Sequence, residues 1–198
     1  LPRALLKGVK GLLTAYIEIF RGTPMIVQAM VVYYGALEYL GLDIPAMTAA
    51  FLVVSVNTGA YMAEILRGGI LSVDPGQKEA AIAVGMTHWQ LMTSVVLPQA
   101  VRNTLPSVGN EFVVNIKDSS VLNVISVTEL YFTARSVSGT HYKYFEVFFI
   151  ISVIYFVLTF TITRLLRLLE KKLSGGDSYT IYGSQTDAKA EIKVGGEA

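Results

Sequence analysis

The chain has 198 residues, of which 53% are hydrophobic and only 16% charged, and its mean hydropathy is +0.51. Soluble domains carry about a quarter of their residues charged, so the composition disfavours a lone soluble domain, excludes disorder over most of the chain and points to a polytopic membrane protein. A net charge of +1 is too small for nucleic-acid binding, and the lack of cysteine removes disulfides, thiolate nucleophiles and cysteine metal ligands.

Leu1–Phe20 is basic and amphipathic, and lacks the long apolar core and small-residue cleavage site of a signal peptide. It is expected to continue a cytoplasmic segment that follows an earlier helix. A helix that crosses about 30 Å of hydrocarbon needs about 20 mostly apolar residues. Met25–Leu42 supplies one run, with Glu38 near its end, and Ala46–Leu66 a second, carrying Asn57, Tyr61 and Glu64. Leu91–Ile116 is long enough, but its Pro98, Arg102, Pro106, Asn110 and Glu111 let it cross only beside protein or a watery cavity. Val121–Ala134 is too short to cross and is expected as a partly inserted or membrane-surface helix. Phe145–Thr163 is almost pure Phe, Ile, Val and Tyr. The expected fold is therefore all-α, a membrane helical bundle. Residues 1–172 form the transmembrane domain, with spans at 25–42, 46–66, 91–116 and 145–163 and the short helix at 121–134. Residues 173–198, polar and rich in Gly and Ser, are expected to be a flexible cytoplasmic tail.

Charge placement orients the set. Arg3, Lys7, Lys10 and Arg21 precede the first span, Arg67 and Lys78 follow the second, and Arg164, Arg167, Lys171 and Lys172 follow the last. The positive-inside rule then puts both ends of this chain and the Gly68–Gln90 loop in the cytoplasm. Within that loop Pro75 suits the first turn of a helix over Pro75–Ala83, and Glu79 lies close to its positive end. Gly85 permits a sharp reversal, and Thr87 can cap a second short helix through His88, Trp89 and Gln90. Two short helices at an angle make a knob suited to a groove on a soluble partner.

The spacing Glu79-Ala80-Ala81, Gly85, Leu97-Pro98 resembles the coupling loop of ABC-importer permeases. Val95 stands where that pattern has Ile. Arg21-Gly22-Thr23-Pro24, Gly59-Ala60-Tyr61 with Glu64, and Lys117-Asp118-Ser119-Ser120 narrow the resemblance to the polar amino acid uptake permeases, from about Tyr16 to Lys172. The resemblance implies a bundle of the type I importer kind in a prokaryotic plasma membrane, with one more helix before Leu1. It also implies partners: ABC ATPase subunits that carry ATP-Mg, a second permease copy or paralogue, and an extracytoplasmic amino acid-binding protein. No cofactor is expected on this chain itself.

Two polar stripes mark a candidate pathway. Asn57, Tyr61 and Glu64 share one face of the second span, and Glu111, Asn115 and Asp118 repeat that spacing on the third. Asparagines also hold membrane helices together by hydrogen bonds, and Glu64 lies within reach of Arg67, so a structural role competes with the functional one. Glu111 is the better candidate, because no Lys or Arg stands at i±3 or i±4. A carboxylate in a cavity can hold an α-ammonium or a cationic side chain, while Asn115, Lys117, Ser119 and Ser120 can supply donors to a substrate carboxylate. His88 and His141 lack the partner spacing of metal or catalytic sites, and the chain lacks a phosphate-binding Gly-x4-Gly-Lys-Ser/Thr loop. It is therefore read as a non-enzymatic transport subunit for a polar amino acid, cationic or amide-bearing. An ion-coupled carrier or channel is the alternative, and that would want inverted repeats, which the two halves do not display. A membrane enzyme would want convergent acid, base or metal ligands.

Overall fold

The computed structural model describes residues 3–173, which form helices and short connections with no strand among them. The expected tail lies, beyond Leu173, outside the described residues. The chain divides into two compact units. The first comprises Leu1–Glu64 and Glu111–Phe160, and the second Ile65–Asn110 and Thr161–Ala198.

The first unit opens with α1 (Arg3–Gly22) and α2 (Met25–Leu40), followed by the beginning of α3 (Ala46–Leu71). Small side chains set the packing: Ala29 of α2 and Ala49, Ala50 and Val53 of α3 are buried together, and small residues let membrane helices approach closely. Leu122, Ile125 and Val127 complete that core. Gly41, at φ +65°, stops α2 in a left-handed cap, with Leu42 N–H donating to Ala36 O at 2.9 Å. The helix therefore ends at Leu40 instead of Leu42, and its 16 residues extend about 24 Å at 1.5 Å each.

The single short helix expected over 121–134 is two elements. A 3-10 turn covers Ser119–Ile125 and ends at Ser126 in a left-handed conformation, φ 64°. Helix α7 (Leu130–His141) follows. Glu129 caps it, its carboxylate accepting from the N–H groups of Tyr131 at 2.7 Å and Phe132 at 2.5 Å. That acid at the positive end of a helix starts α7 where it does, and hydropathy gave no sign of it. The last helix, α8, runs over Tyr144–Leu173 and so extends well past the expected Thr163.

The second unit holds the rest of α3, then α4 (Pro75–Ala83), α5 (His88–Gln90), a π-helical segment over Leu91–Val96, and the first part of α6 (Leu97–Asp118). Val73, Ala81, Leu91, Val96 and Ala100 form its core. Ser72, just past the end of α3, is tied to α6 by Asn103 Nδ2 donating to Ser72 Oγ at 2.9 Å. Among the described residues, Ala46–Leu71 and Tyr144–Lys172 are helices long and apolar enough to cross a membrane. Helix α6, with its charged and amide side chains, does not meet that measure.

Candidate functional site

Two places gather the polar residues of this apolar chain: a cleft in the first unit, and the corner between α1 and α2. The cleft has a volume of about 650 Å³, within the range of small-molecule sites. Its walls are mostly apolar in area, with Phe112 and Leu158 among them, and six polar residues line it: Ser55, Thr58, Asn115, Ser119, Glu129 and Tyr155. Thr58 Oγ1 donates to Asn115 Oδ1 at 3.1 Å, which holds the amide by its oxygen. Ser119 donates to Ile116 O at 2.8 Å, leaving its oxygen lone pairs for a ligand. The Tyr155 hydroxyl donates to Glu129 Oε2 at 3.3 Å. Glu129 thus accepts from two backbone N–H groups and one phenol, a set of donors that holds the carboxylate in place.

Glu111 stands one helical turn before Asn115 on the same face of α6. The residue is buried, with 5% of its surface exposed, and no hydrogen bond or ion pair from another described residue meets its carboxylate. Among the described residues no fully enclosed side-chain oxygen or nitrogen lacks a partner. The Glu111 oxygens are therefore not fully enclosed, although the residue is buried. A charge in this setting needs a counter-charge or water.

The corner accounts for two other expected pathway residues. Thr23 Oγ1 donates to Ile19 O at 2.7 Å, and Gln28 Nε2 donates to Phe20 O and Thr23 O, each at 2.9 Å. Asn57 Nδ2 reaches across from α3 to Gln28 Oε1 at 2.9 Å and Phe20 O at 3.2 Å. The Arg21 guanidinium lies 5.5 Å from the centre of the Tyr61 ring and 3.6 Å from Glu64. The structure therefore ties Glu64 to Arg21, a partner from another helix that sequence spacing could not single out beside Arg67. The motif Arg21-Gly22-Thr23-Pro24 turns the chain between α1 and α2 and binds that turn to α3. Replacing Asn57 with leucine should leave Gln28 Oε1 without its donor and lower stability by about 1–2 kcal/mol. Thermal unfolding of the detergent-solubilised permease measures this, and an unchanged midpoint would mean that the corner does not depend on Asn57.

Of the six expected pathway residues, Asn115 and Ser119 face the cleft and Glu111 stands a turn away. Asn57 and Tyr61 belong to the corner, and the Ser120 carbonyl accepts from Asn123 Nδ2 at 2.5 Å inside the 3-10 turn. Sequence reading missed Thr58, Glu129 and Tyr155. Thr58 adjoins the stripe of Asn57 and is one helical step off its face. Tyr155 carries a hydroxyl within an otherwise apolar stretch, a signal visible in the sequence but not interpretable without its partner Glu129.

The loop has the local geometry that its residues imply. Asp74 caps α4, its carboxylate accepting from Gly76 N–H at 2.6 Å, with Pro75 in the first turn. Gly85 adopts φ +83°, and Met86 N–H closes back onto Ala81 O at 3.1 Å. Thr87 and Gln90 then form a reciprocal capping box, Gln90 Oε1 accepting from Thr87 N–H at 2.9 Å. Glu79 and Ala80 are exposed, whereas Ala81 turns into the second core. Pro98 falls in the first turn of α6, and the irregular stretch lies just before it, in the π-helical segment.

Apolar helices, a mostly apolar cleft with a few polar groups and a capped loop turned by a glycine are consistent with a membrane transport component. The profile of the family described as binding-protein-dependent transport system inner membrane component matches residues 5–175, and the chain belongs to that family, as the permease subunit of an amino acid ABC importer. It is 38% identical over 162 residues to the arginine transport system permease protein ArtQ of Bacillus subtilis (strain 168), covering 82% of this chain and 74% of that protein. It is 36% identical over 159 residues to the glutamine transport system permease protein GlnP of Escherichia coli (strain K12), covering 80% and 73%. A solved amino acid ABC transporter with histidines matches with a TM-score of 0.80 at 45% identity, over 84% of this chain and 77% of that one. The methionine ABC transporter MetNI in an inward-facing form shares the fold, with a TM-score of 0.67 at 19% identity, over 86% and 78%.

Proposed function

We propose that this permease carries a cationic or amide-bearing amino acid along the face of α6 that bears Glu111, Asn115 and Ser119. The observation that carries the reading is Glu111, a buried carboxylate with no partner among the described residues and with oxygens that are not fully enclosed. It would hold the α-ammonium or a cationic side chain. The Asn115 amide and Ser119 hydroxyl would take the carboxylate or side-chain amide, and the apolar walls of the cleft would hold the aliphatic part. The names of the two relatives fit this class, since arginine is cationic and glutamine carries an amide.

Energy would enter from separate ATPase subunits that bind ATP-Mg. Their closure would push the loop Glu79-Ala80-Ala81-Gly85, whose exposed Ile82, Val84 and Trp89 offer apolar surface to a groove. A second permease copy or paralogue would share the pathway, an extracytoplasmic binding protein would deliver the substrate, and both ends of this chain would lie in the cytoplasm. The test is uptake of labelled arginine, glutamine and glutamate by the reconstituted complex. ATP-dependent uptake of arginine or glutamine is expected. Uptake that follows a proton or sodium gradient and ignores ATP, or that favours glutamate, would overturn the reading.

Gly85 gives a separate test of the loop. A side chain in the left-handed region costs roughly 1–2 kcal/mol, less for asparagine. Gly85→Val should reduce co-purification of the ATPase subunit and coupled ATP hydrolysis severalfold, and Gly85→Asn should retain most of both. Full coupling in Gly85→Val would count against docking through this loop.

A further inference from the structure

Helix α1 leaves half of its apolar stripe uncovered. On a 100° helical wheel Leu5, Val9, Leu12 and Leu13 fall on the same face as Tyr16 and Phe20. The later part of that face meets the fold: the Tyr16 hydroxyl donates to Val56 O of α3 at 2.6 Å, and a Cβ at Gly59 would lie 2.8 Å from the same hydroxyl. Among the described residues nothing buries the earlier part. Residues 3–15 are all exposed, with Leu12 keeping 75% of its surface and Leu13 55%.

The opposite face carries Arg3, Lys7 and Lys10 at i, i+4 and i+7. Arg21 continues their line but is taken up by Glu64 and Tyr61. Glu18 is the acid on that side, more than two turns beyond Lys10. A protein groove would cover the leucines and leave three aligned cations without a purpose. A leaflet of anionic lipid answers both faces at once, because apolar side chains enter the acyl boundary while lysine and arginine stems extend to the headgroups. The chain is an inner-membrane component, so that leaflet is close at hand.

We propose that residues 3–15 of α1 lie in the lipid–water interface, with Leu5, Val9, Leu12 and Leu13 in the acyl boundary and Arg3, Lys7 and Lys10 on anionic phospholipid headgroups.

The 198 residues contain no cysteine, so single cysteines can report on each position. The full permease, assembled with its ATPase, is labelled with a fluorophore at Val9, Leu12, Lys7 or Thr14 in turn. It is then placed in vesicles of phosphatidylcholine, with or without about one third phosphatidylglycerol. In the anionic vesicles, labels at Val9 and Leu12 should be quenched by a shallow lipid-borne nitroxide, and labels at Lys7 and Thr14 by a water-soluble quencher. Each cation near an anionic surface contributes about a 5-fold preference. The triple variant Arg3→Gln/Lys7→Gln/Lys10→Gln should therefore lower insertion in anionic vesicles by up to about 100-fold. Labels at Val9 and Leu12 shielded from both quenchers would mean that protein covers the stripe, a second copy or another segment, and would overturn the proposal. So would water-quenching at every position, or insertion indifferent to phosphatidylglycerol and to the triple variant. ATP-driven uptake by the same preparations reports separately on the transport reading.

Discussion

Replacing Gly69 with valine is expected to destabilise the permease by about 3 kcal/mol, at the upper end of the usual overpacking cost, and to cut its yield in the membrane sharply. The reason is the close approach of α3 and α6 within the second unit. A Cβ at Gly69 would lie 2.9 Å from the Ala100 carbonyl oxygen and would overlap the Thr104 methyl. The methyl belongs to a side chain that is 5% exposed and whose hydroxyl donates to Val101 O at 3.0 Å, so it has little freedom to turn away. The carbonyl is backbone and cannot move without shifting α6. Gly68, its neighbour, has open space where its Cβ would be, and Gly68→Ala supplies the control. Thermal unfolding of the two variants in detergent decides the matter: equal midpoints would show that the helices separate at little cost.

The second large effect is expected at Glu111. Glu111→Gln keeps the volume and removes the charge, and a charge-assisted hydrogen bond contributes about 1.5–3 kcal/mol, equivalent to roughly 10- to 100-fold in affinity. ATP-driven uptake of a cationic or amide-bearing amino acid should fall by that factor at limiting substrate. Basal ATP hydrolysis should persist, because the loop from Asp74 to Gln90 belongs to the other unit. The variant should also fold at least as well as the parent, since a buried carboxylate without a partner is a burden on stability. A stability gain combined with lost uptake is the signature of a group kept for function. Unchanged uptake and unchanged substrate range would sink the role.

The fold was legible in the sequence wherever one local rule decided the outcome. Apolar length marked α3 and α8, and Pro75, Gly85 and Thr87 marked the turns of the loop, because each of these conformations depends on residues a few positions apart. The 3-10 turn and the late start of α7 were not legible, because they depend on a left-handed serine and on one glutamate capping a helix inside an apolar run. The polar stripes were visible as stripes, but their partners were not. Asn57 bonds Gln28, which lies 29 positions away in the chain, and Tyr155 bonds Glu129, 26 positions away. Pairings across that distance are set by how helices pack, and helical periodicity says only that a face is polar. The same limit explains why Glu111 was identifiable as a charge without a local partner while the cleft beside it, with Thr58 and Tyr155 on its walls, was not.

The π-helical segment over Leu91–Val96 has a consequence for how relatives are compared. A bond from i to i+5 encloses one residue more than the usual helical bond, so the segment behaves as a single inserted position within a continuous helix. A family member that lacks one residue here could keep both the loop and the helix after it, with every side chain beyond the gap in the same phase, because an ordinary α-helical turn then takes the place of the wider one. An alignment gap placed elsewhere between Thr87 and Glu111 would mispair the faces of the residues between it and this segment, and leaving the gap out altogether would equate Glu111 and Asn115 with neighbours about 100° round the helix, away from the cleft.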